Sequence, residues 1–216
     1  VLSRDDFPKG GPLSPYFGRR MKDKTVVAID KVRHVGDVVA AVAAADLETA
    51  DQALRLIDVE YEELPVVSDP LQAIQEGAPQ LFEHLAEIKN NICHRASLKQ
   101  GDIEKGLRES DIILEDTFTT PVAQQCHLEP HISLAWFDES GRLNVQTGTQ
   151  TPYGVRKSLA EIFQMPEEKI RVMVPYVGGA YGAKSHLKVE HLAAVLAWKA
   201  KKPVRILLRR EEVFLT

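Results

Sequence analysis

The chain has 216 residues, 44% of them hydrophobic and 27% charged, the mixture of a folded globular protein rather than a disordered one. Its 27 basic and 31 acidic residues give a net charge of −4, which excludes the broad basic field needed to hold a nucleic-acid backbone. The longest apolar run, residues 38–45, is far short of a membrane span, and no basic-then-apolar leader opens the sequence, so a cytoplasmic chain with no membrane contact is expected. The first residue is Val1, as expected of a trimmed or excised chain. Cys93 and Cys126 lie 33 positions apart and belong to no Cys-x-x-Cys pair, so two reduced thiols are expected and neither a zinc ribbon nor an iron–sulfur cluster.

In chain order, residues 26–29 and 38–43 read as strands, the second buried on both faces, with a turn at Gly36 and Asp37 between them. Residues 49–57 place Ala50, Ala53, Leu54 and Ile57 at helical spacing, with Asp46 or Thr49 as cap. Residues 59–62 alternate as a strand that Pro65 ends, completing a small β-α-β unit. Asp69 and Pro70 open a short helix that Gly77 closes. The stretch from 79 to 97 has weak periodicity and an Asn90–Asn91 turn. A division into a first domain over 1–85 and a second over 95–216 is expected.

The second part opens with a helix from Asp102 to Glu109 and a strand over 111–120. Residues 132–137 and 143–147 read as strands joined by the hairpin loop 138–142. Pro152 starts a helix whose apolar face is Val155, Leu159, Ile162 and Phe163. Residues 170–174 read as a strand, 187–199 as a helix too apolar all round to lie on a surface, and 204–208 as a last strand after Pro203.

The loop between the 170–174 strand and the 187–199 helix runs Val177-Gly178-Gly179-Ala180-Tyr181-Gly182-Ala183-Lys184. A strand-to-helix glycine loop can aim backbone N–H groups at an anion. A phosphate-binding P-loop needs glycine directly before the lysine, where this chain has Ala183, and a plain tight turn explains the glycines as well. His127, Glu129 and His131 alternate and form a metal half-site on a strand, but Pro130 interrupts them and favours a loop. His186 and Glu190 are one turn apart and fit a hydrogen-bonded helix start better than a two-ligand metal site. No metal ligands are therefore assigned.

In combination these motifs resemble the xanthine dehydrogenase and aldehyde oxidase family. Residues 31–43 and 59–67, with Asp69-Pro70, resemble the core of its α/β hammerhead domain. Leu128-Glu129-Pro130-His131, Thr149-Gln150, the 177–184 loop, Lys202-Pro203-Val204-Arg205 and Arg210-Glu211-Glu212 resemble successive landmarks of its molybdopterin-binding domain. The resemblance implies an α+β fold: a small hammerhead domain followed by part of an α+β molybdopterin-binding domain. It implies part of a molybdenum hydroxylase, which oxidises an aldehyde or N-heterocycle with water-derived oxygen. The cofactor would be molybdopterin, the cytosine dinucleotide form included. Iron–sulfur and FAD groups would sit on partner subunits or domains. The subunit would continue beyond Thr216 to the glutamate that acts as general base, so no cofactor is expected on this chain by itself. A non-catalytic docking domain of such a complex is the alternative.

Residue by residue, Gln150 matches the glutamine whose amide approaches an oxygen ligand of molybdenum. Gly178, Gly179, Ala180, Tyr181 and Gly182 match the cofactor-binding loop, with the N–H groups of Tyr181 and Gly182 beside the metal. Ala180 and Ala183 stand where the family loop usually has glycine, and Gln125 where a histidine is common. Ser185 stands where purine-oxidising members carry a substrate-binding glutamate, so it is the candidate substrate residue and xanthine is disfavoured.

Overall fold

The computed structural model describes residues 1–18 and 20–216. In chain order the elements are β1 (Tyr16–Phe17), β2 (Lys24–Thr25), α1 (Leu47–Arg55), α2 (Pro70–Ala73), α3 (Ile103–Glu109), β3 (Ile132–Phe137) and β4 (Leu143–Thr147). There follow α4 (Pro152–Phe163), β5 (Ile170–Met173), α5 (Glu190–Ala200), β6 (Val204–Leu207) and α6 (Arg210–Val213). The chain packs as two compact units, one of residues 1–64 and 125–216, the other of 65–124. That grouping differs from the division expected near 85–95, because the first residues share an apolar cluster with the C-terminal sheet.

The larger unit is built on a four-stranded sheet of order β5-β4-β3-β6. The hairpin loop 138–142 makes β3 and β4 antiparallel, β6 returns antiparallel to β3, and β5 lies parallel to β4 after the α4 crossover. The registers Ala135↔Val145, Ala135↔Val204 and Val145↔Val172 set these residues in one cross-strand row. Helices α4 and α5 cover that face. Val155, Leu159, Ile162 and Phe163 of α4 are buried, as their spacing predicts. Residues 190–197 of α5 are buried without a break, so this helix has no solvent stripe. It ends at Lys201, held left-handed at φ 54°.

The N-terminal segment completes this core with Leu2, Phe7, Leu13, Phe17, Val26 and Val27. It is tied down by Ser14 N donating to the Ile162 carbonyl (2.7 Å) and by an ion pair between Lys199 and Asp6. The strands expected over 26–29 and 38–43 are not regular. Ala28 N donates to the Val38 carbonyl and Leu2 bridges Ala41, but no ladder forms, and residues 38–43 are only half-buried. Residues 59–62 form no strand either. Alternation supplies a two-faced pattern but not the neighbouring backbone that a ladder needs. Helix α1 is capped by Asp46, whose carboxylate accepts from Thr49 N at 2.8 Å, yet no α1 residue is fully buried.

In the smaller unit, Asp69 caps α2 and Asp102 caps α3. Asn90 and Asn91 both adopt positive φ and close a tight turn bridged by Lys89 and Ile92. Asn91 ties its turn to the end of α2 and to the 79–81 loop, donating to the carbonyls of Ala73 and Pro79 and accepting from Leu81 N. Residues 111–120, expected as a strand, carry no ladder; Ile112, Leu114 and Phe118 are exposed.

Candidate functional site

The sheet topology gathers the sequence landmarks at one end. Parallel strands β4 and β5 both finish there, and the loops leaving them carry Gln150 and the 177–184 glycine loop. Antiparallel β3 starts there, so residues 127–131 arrive at the same edge, and β6 ends there, delivering Arg210. Loops beyond the carboxyl ends of parallel strands are the usual seat of ligands in such sheets.

Glu129 is the hub. Its carboxylate accepts from Gly178 N at 3.1 Å and pairs with Lys184, while its backbone N donates to the Gly178 carbonyl at 3.0 Å. One side chain therefore holds both the entry and the exit of the glycine loop. Lys184 is only 1% exposed, and its charge is met by Glu129. Burial opposes ionisation of Glu129, but the bonds from Lys184 and Gly178 outweigh it and hold its carboxyl below the usual range. A Cβ at position 178 would come within 2.6 Å of the Glu129 Cβ, so glycine is required for this approach. The P-loop reading fails here, because a lysine buried against a carboxylate is not available to a phosphate.

Within the loop, Gly179, Tyr181 and Gly182 have φ of 89°, 52° and 96°. Tyr181 is a bulky residue in left-handed backbone, a sparsely populated conformation that clusters at functional sites. Its side chain is 77% exposed, so burial of the ring does not account for the conformation. The turn is closed by Ala183 N to the Ala180 carbonyl (2.9 Å) and Ser185 N to the Gly182 carbonyl (3.3 Å). The N–H groups of Tyr181 and Gly182 donate to none of the described residues. Such successive free N–H groups form a concavity suited to an anion.

Gln150 lies against the far end of the same loop. Its backbone N donates to the Lys184 carbonyl (2.9 Å), which also accepts from the Thr149 hydroxyl (3.0 Å). The Thr151 hydroxyl donates to the Ser185 carbonyl (2.9 Å). The Ser185 hydroxyl donates to Gln150 Oε1 (3.3 Å), and Gln150 Nε2 donates to none of the described residues. The structure thus brings together every sequence-predicted site residue: Gln150, Gly178, Gly179, Ala180, Tyr181, Gly182 and Ser185.

The histidines serve the scaffold. His127 and His131 are buried edge to face, 4.8 Å apart, and His127 Nδ1 donates to the Glu129 carbonyl at 2.6 Å. Burial, with the nearby His127, Lys188 and Lys184, lowers the His131 pKa to about 4. Among the described residues no group of three or more His, Cys, Asp or Glu side chains is placed to hold a metal. Glu190 accepts from the backbone N–H groups of Lys188 and Val189 at the start of α5, the capping role favoured from its position. Sequence reading gave no role to Arg210, which donates to the carbonyls of His127 and Leu128 at 2.8 and 2.7 Å and fixes the segment that carries Glu129. It also missed the Glu129–Lys184 pair; the one available signal was a lysine in an otherwise apolar and glycine-rich stretch.

Comparison with known proteins gives two family matches in chain order. Residues 1–65 match the aldehyde oxidase and xanthine dehydrogenase a/b hammerhead domain, and residues 84–216 match the molybdopterin cofactor-binding domain. The chain is 40% identical over 196 residues to a probable xanthine dehydrogenase subunit of Bacillus subtilis, covering 91% of this chain and 26% of that protein. It is 33% identical to the nicotinate dehydrogenase large molybdopterin subunit of Eubacterium barkeri, covering 91% of this chain and 45% of that one. The crystal structure of quinoline 2-oxidoreductase from Pseudomonas putida 86 superposes with a TM-score of 0.79 at 31% identity, covering 94% of this chain and 25% of that one. This chain therefore spans about a quarter to a half of the length of these proteins. No helix among the described residues is long and apolar enough to cross a membrane. With an α+β fold, the glycine loop and Gln150 at one sheet end, and both domain models matched in order, the chain belongs to the xanthine dehydrogenase and aldehyde oxidase family of molybdopterin-binding subunits.

Proposed function

We propose that this chain is part of a molybdenum hydroxylase that oxidises an aldehyde or N-heterocycle with oxygen from water and passes the electrons to iron–sulfur and flavin partners. The observation that carries the proposal is that Gln150 and the glycine loop meet at one end of the sheet, where Gln150 Nε2 and the N–H groups of Tyr181 and Gly182 donate to none of the described residues. This donor set fits an anionic, oxygen-rich cofactor such as molybdopterin, its cytosine dinucleotide form included, and Gly182 leaves open space where a side chain would otherwise stand. When bound, the molybdenum centre supplies the two-electron oxidation and the transfer of oxygen to carbon.

The chain's own residues hold and orient. Residues 178–182 line the cofactor with backbone rather than side chains. Gln150, Tyr181 and Gly182 present fixed donors, which stabilise negative charge without reorganising. Glu129 and Lys184 keep both ends of the loop in place. Ser185 lies beside Gln150 at the rim, where the substrate would approach. We further propose that residues 1–85 and from 95 onward descend as separate domains, a division supported by the family matches to 1–65 and 84–216. The two unpaired, exposed cysteines suit a reducing, cytoplasmic setting.

The test is to purify the complete subunit with its co-encoded partners, measure molybdenum, and assay aldehydes and N-heterocycles in H2-18O. The proposal expects stoichiometric molybdenum and an 18O label in the product. A product that takes its oxygen from O2, or an active enzyme without molybdenum, would contradict it.

A further inference from the structure

We propose that the end of the sheet opposite Gln150 carries a binding site for a flat aromatic carboxylate. There β3 finishes at Phe137, α5 finishes at Ala200 and β6 starts at Val204. Between them, within the larger unit, lies a cleft of about 520 Å³ lined by Phe137, Met165, Trp198, Lys201, Lys202 and Pro203. That volume, and an apolar wall with a few charged groups, is usual for a small-molecule site. The wall is held in place. Phe137 packs edge to face on the buried Phe163, ring centres 5.6 Å apart, and Phe137, Met165 and Trp198 all rest on the core. Two aromatic rings and a thioether suit a flat aromatic body.

The mouth carries charge of one sign. No acidic residue lines the cleft, and among the described residues neither Lys201 nor Lys202 pairs with a carboxylate. The Lys201 ammonium stands 4.8 Å from the centre of the Trp198 ring, a cation–π contact that keeps the charge at the wall. Its backbone is left-handed, φ 54° and ψ 32°, at a helix end where glycine is the residue of least strain. Lysine at this position lowers stability relative to glycine and sets an unneutralised cation beside an aromatic wall. A carboxylate joined to an aromatic ring meets both features at once, through charge-assisted hydrogen bonds and ring contact. The cleft lies about one strand length from Gln150, roughly 15–20 Å, so a ligand here does not compete for the glycine loop.

The test is equilibrium dialysis of naphthalene-2-carboxylate, with the neutral naphthalene-2-carboxamide as control, against the purified complete subunit. The variants are Lys201→Gly/Lys202→Ala and Trp198→Leu. Glycine suits the left-handed backbone, so the lysine variant should melt no lower than wild type, and it decides the question by itself if Trp198→Leu fails to fold. The expected result is that wild type binds the acid more tightly than the amide. The lysine variant should bind the acid about tenfold more weakly, the scale of two half-exposed ion pairs, and the amide as before. Trp198→Leu should weaken both. Equal binding of acid and amide overturns the proposal, as does acid binding that the lysine substitutions leave unchanged, which would place the acid elsewhere. A wild-type subunit that takes up no acid at millimolar concentration overturns it too.

Discussion

Residues 1–64 and 125–216 enclose Leu159, Ile162, Val145 and Ala193 in one apolar cluster, whereas residues 65–124 leave Leu98, Ile112, Leu114, Phe118 and Val122 facing solvent. The two units share local signals: aspartate caps α1 in the larger and α2 and α3 in the smaller, and each has β-patterned segments. They differ in whether a second layer is available. In the larger unit β3 finds β4 and β6 on either side and α5 across its face. In the smaller unit residues 111–120 have the composition of a strand and no ladder partner among the described residues. Capping and alternation thus specify candidate elements, and long-range burial decides which of them become a sheet.

Acid should separate the two units most. Burial lowers the pKa of His131 to about 4 and of His191 to about 3, both in the larger unit. A histidine kept neutral in the folded state and titrating near 6.5 when unfolded takes up its proton first in the unfolded chain. Stability therefore falls as pH drops below about 6.5, by up to ~1.4 kcal/mol per pH unit for each histidine, until the folded value is reached. Urea unfolding followed by the fluorescence of Trp136 and Trp198 between pH 7 and 4 measures this. A midpoint that does not move would show that these rings are not buried as described.

Glu129→Ala comes next. It leaves Lys184 buried without its counter-charge and releases Gly178, for an expected loss of ~3–5 kcal/mol. The same urea titration reads it, and a loss under about 1 kcal/mol would mean that Lys184 reaches water. Phe118→Ser in the smaller unit should have the smallest effect, within about 0.5 kcal/mol, because its ring is 87% exposed. A large destabilisation there would break the contrast between the units.

Sequence reading succeeds where one element carries its own signal. The α4 face of Val155, Leu159, Ile162 and Phe163, the hairpin at 138–142, and the unbroken apolar stretch of α5 all form as expected. The candidate site residues were named from a family resemblance, since each landmark is local. The apparatus that holds them was not. Glu129, Lys184 and Arg210 are far apart in the chain and meet only because β3, β5 and β6 share an end, which no periodicity encodes. Alternation at 59–62 and strand-like composition at 111–120 misled for the converse reason, being local pattern without a neighbour.

The central claim is that Gln150 offers a fixed donor to a molybdenum cofactor. The most direct measurement is the turnover of Gln150→Ala per molybdenum atom in the holoenzyme. The side chain is exposed and its removal breaks one long hydrogen bond, so fold and metal content should persist. Loss of one preorganised donor is expected to lower turnover by ~10²–10³-fold. Wild-type turnover at equal molybdenum content would contradict the account.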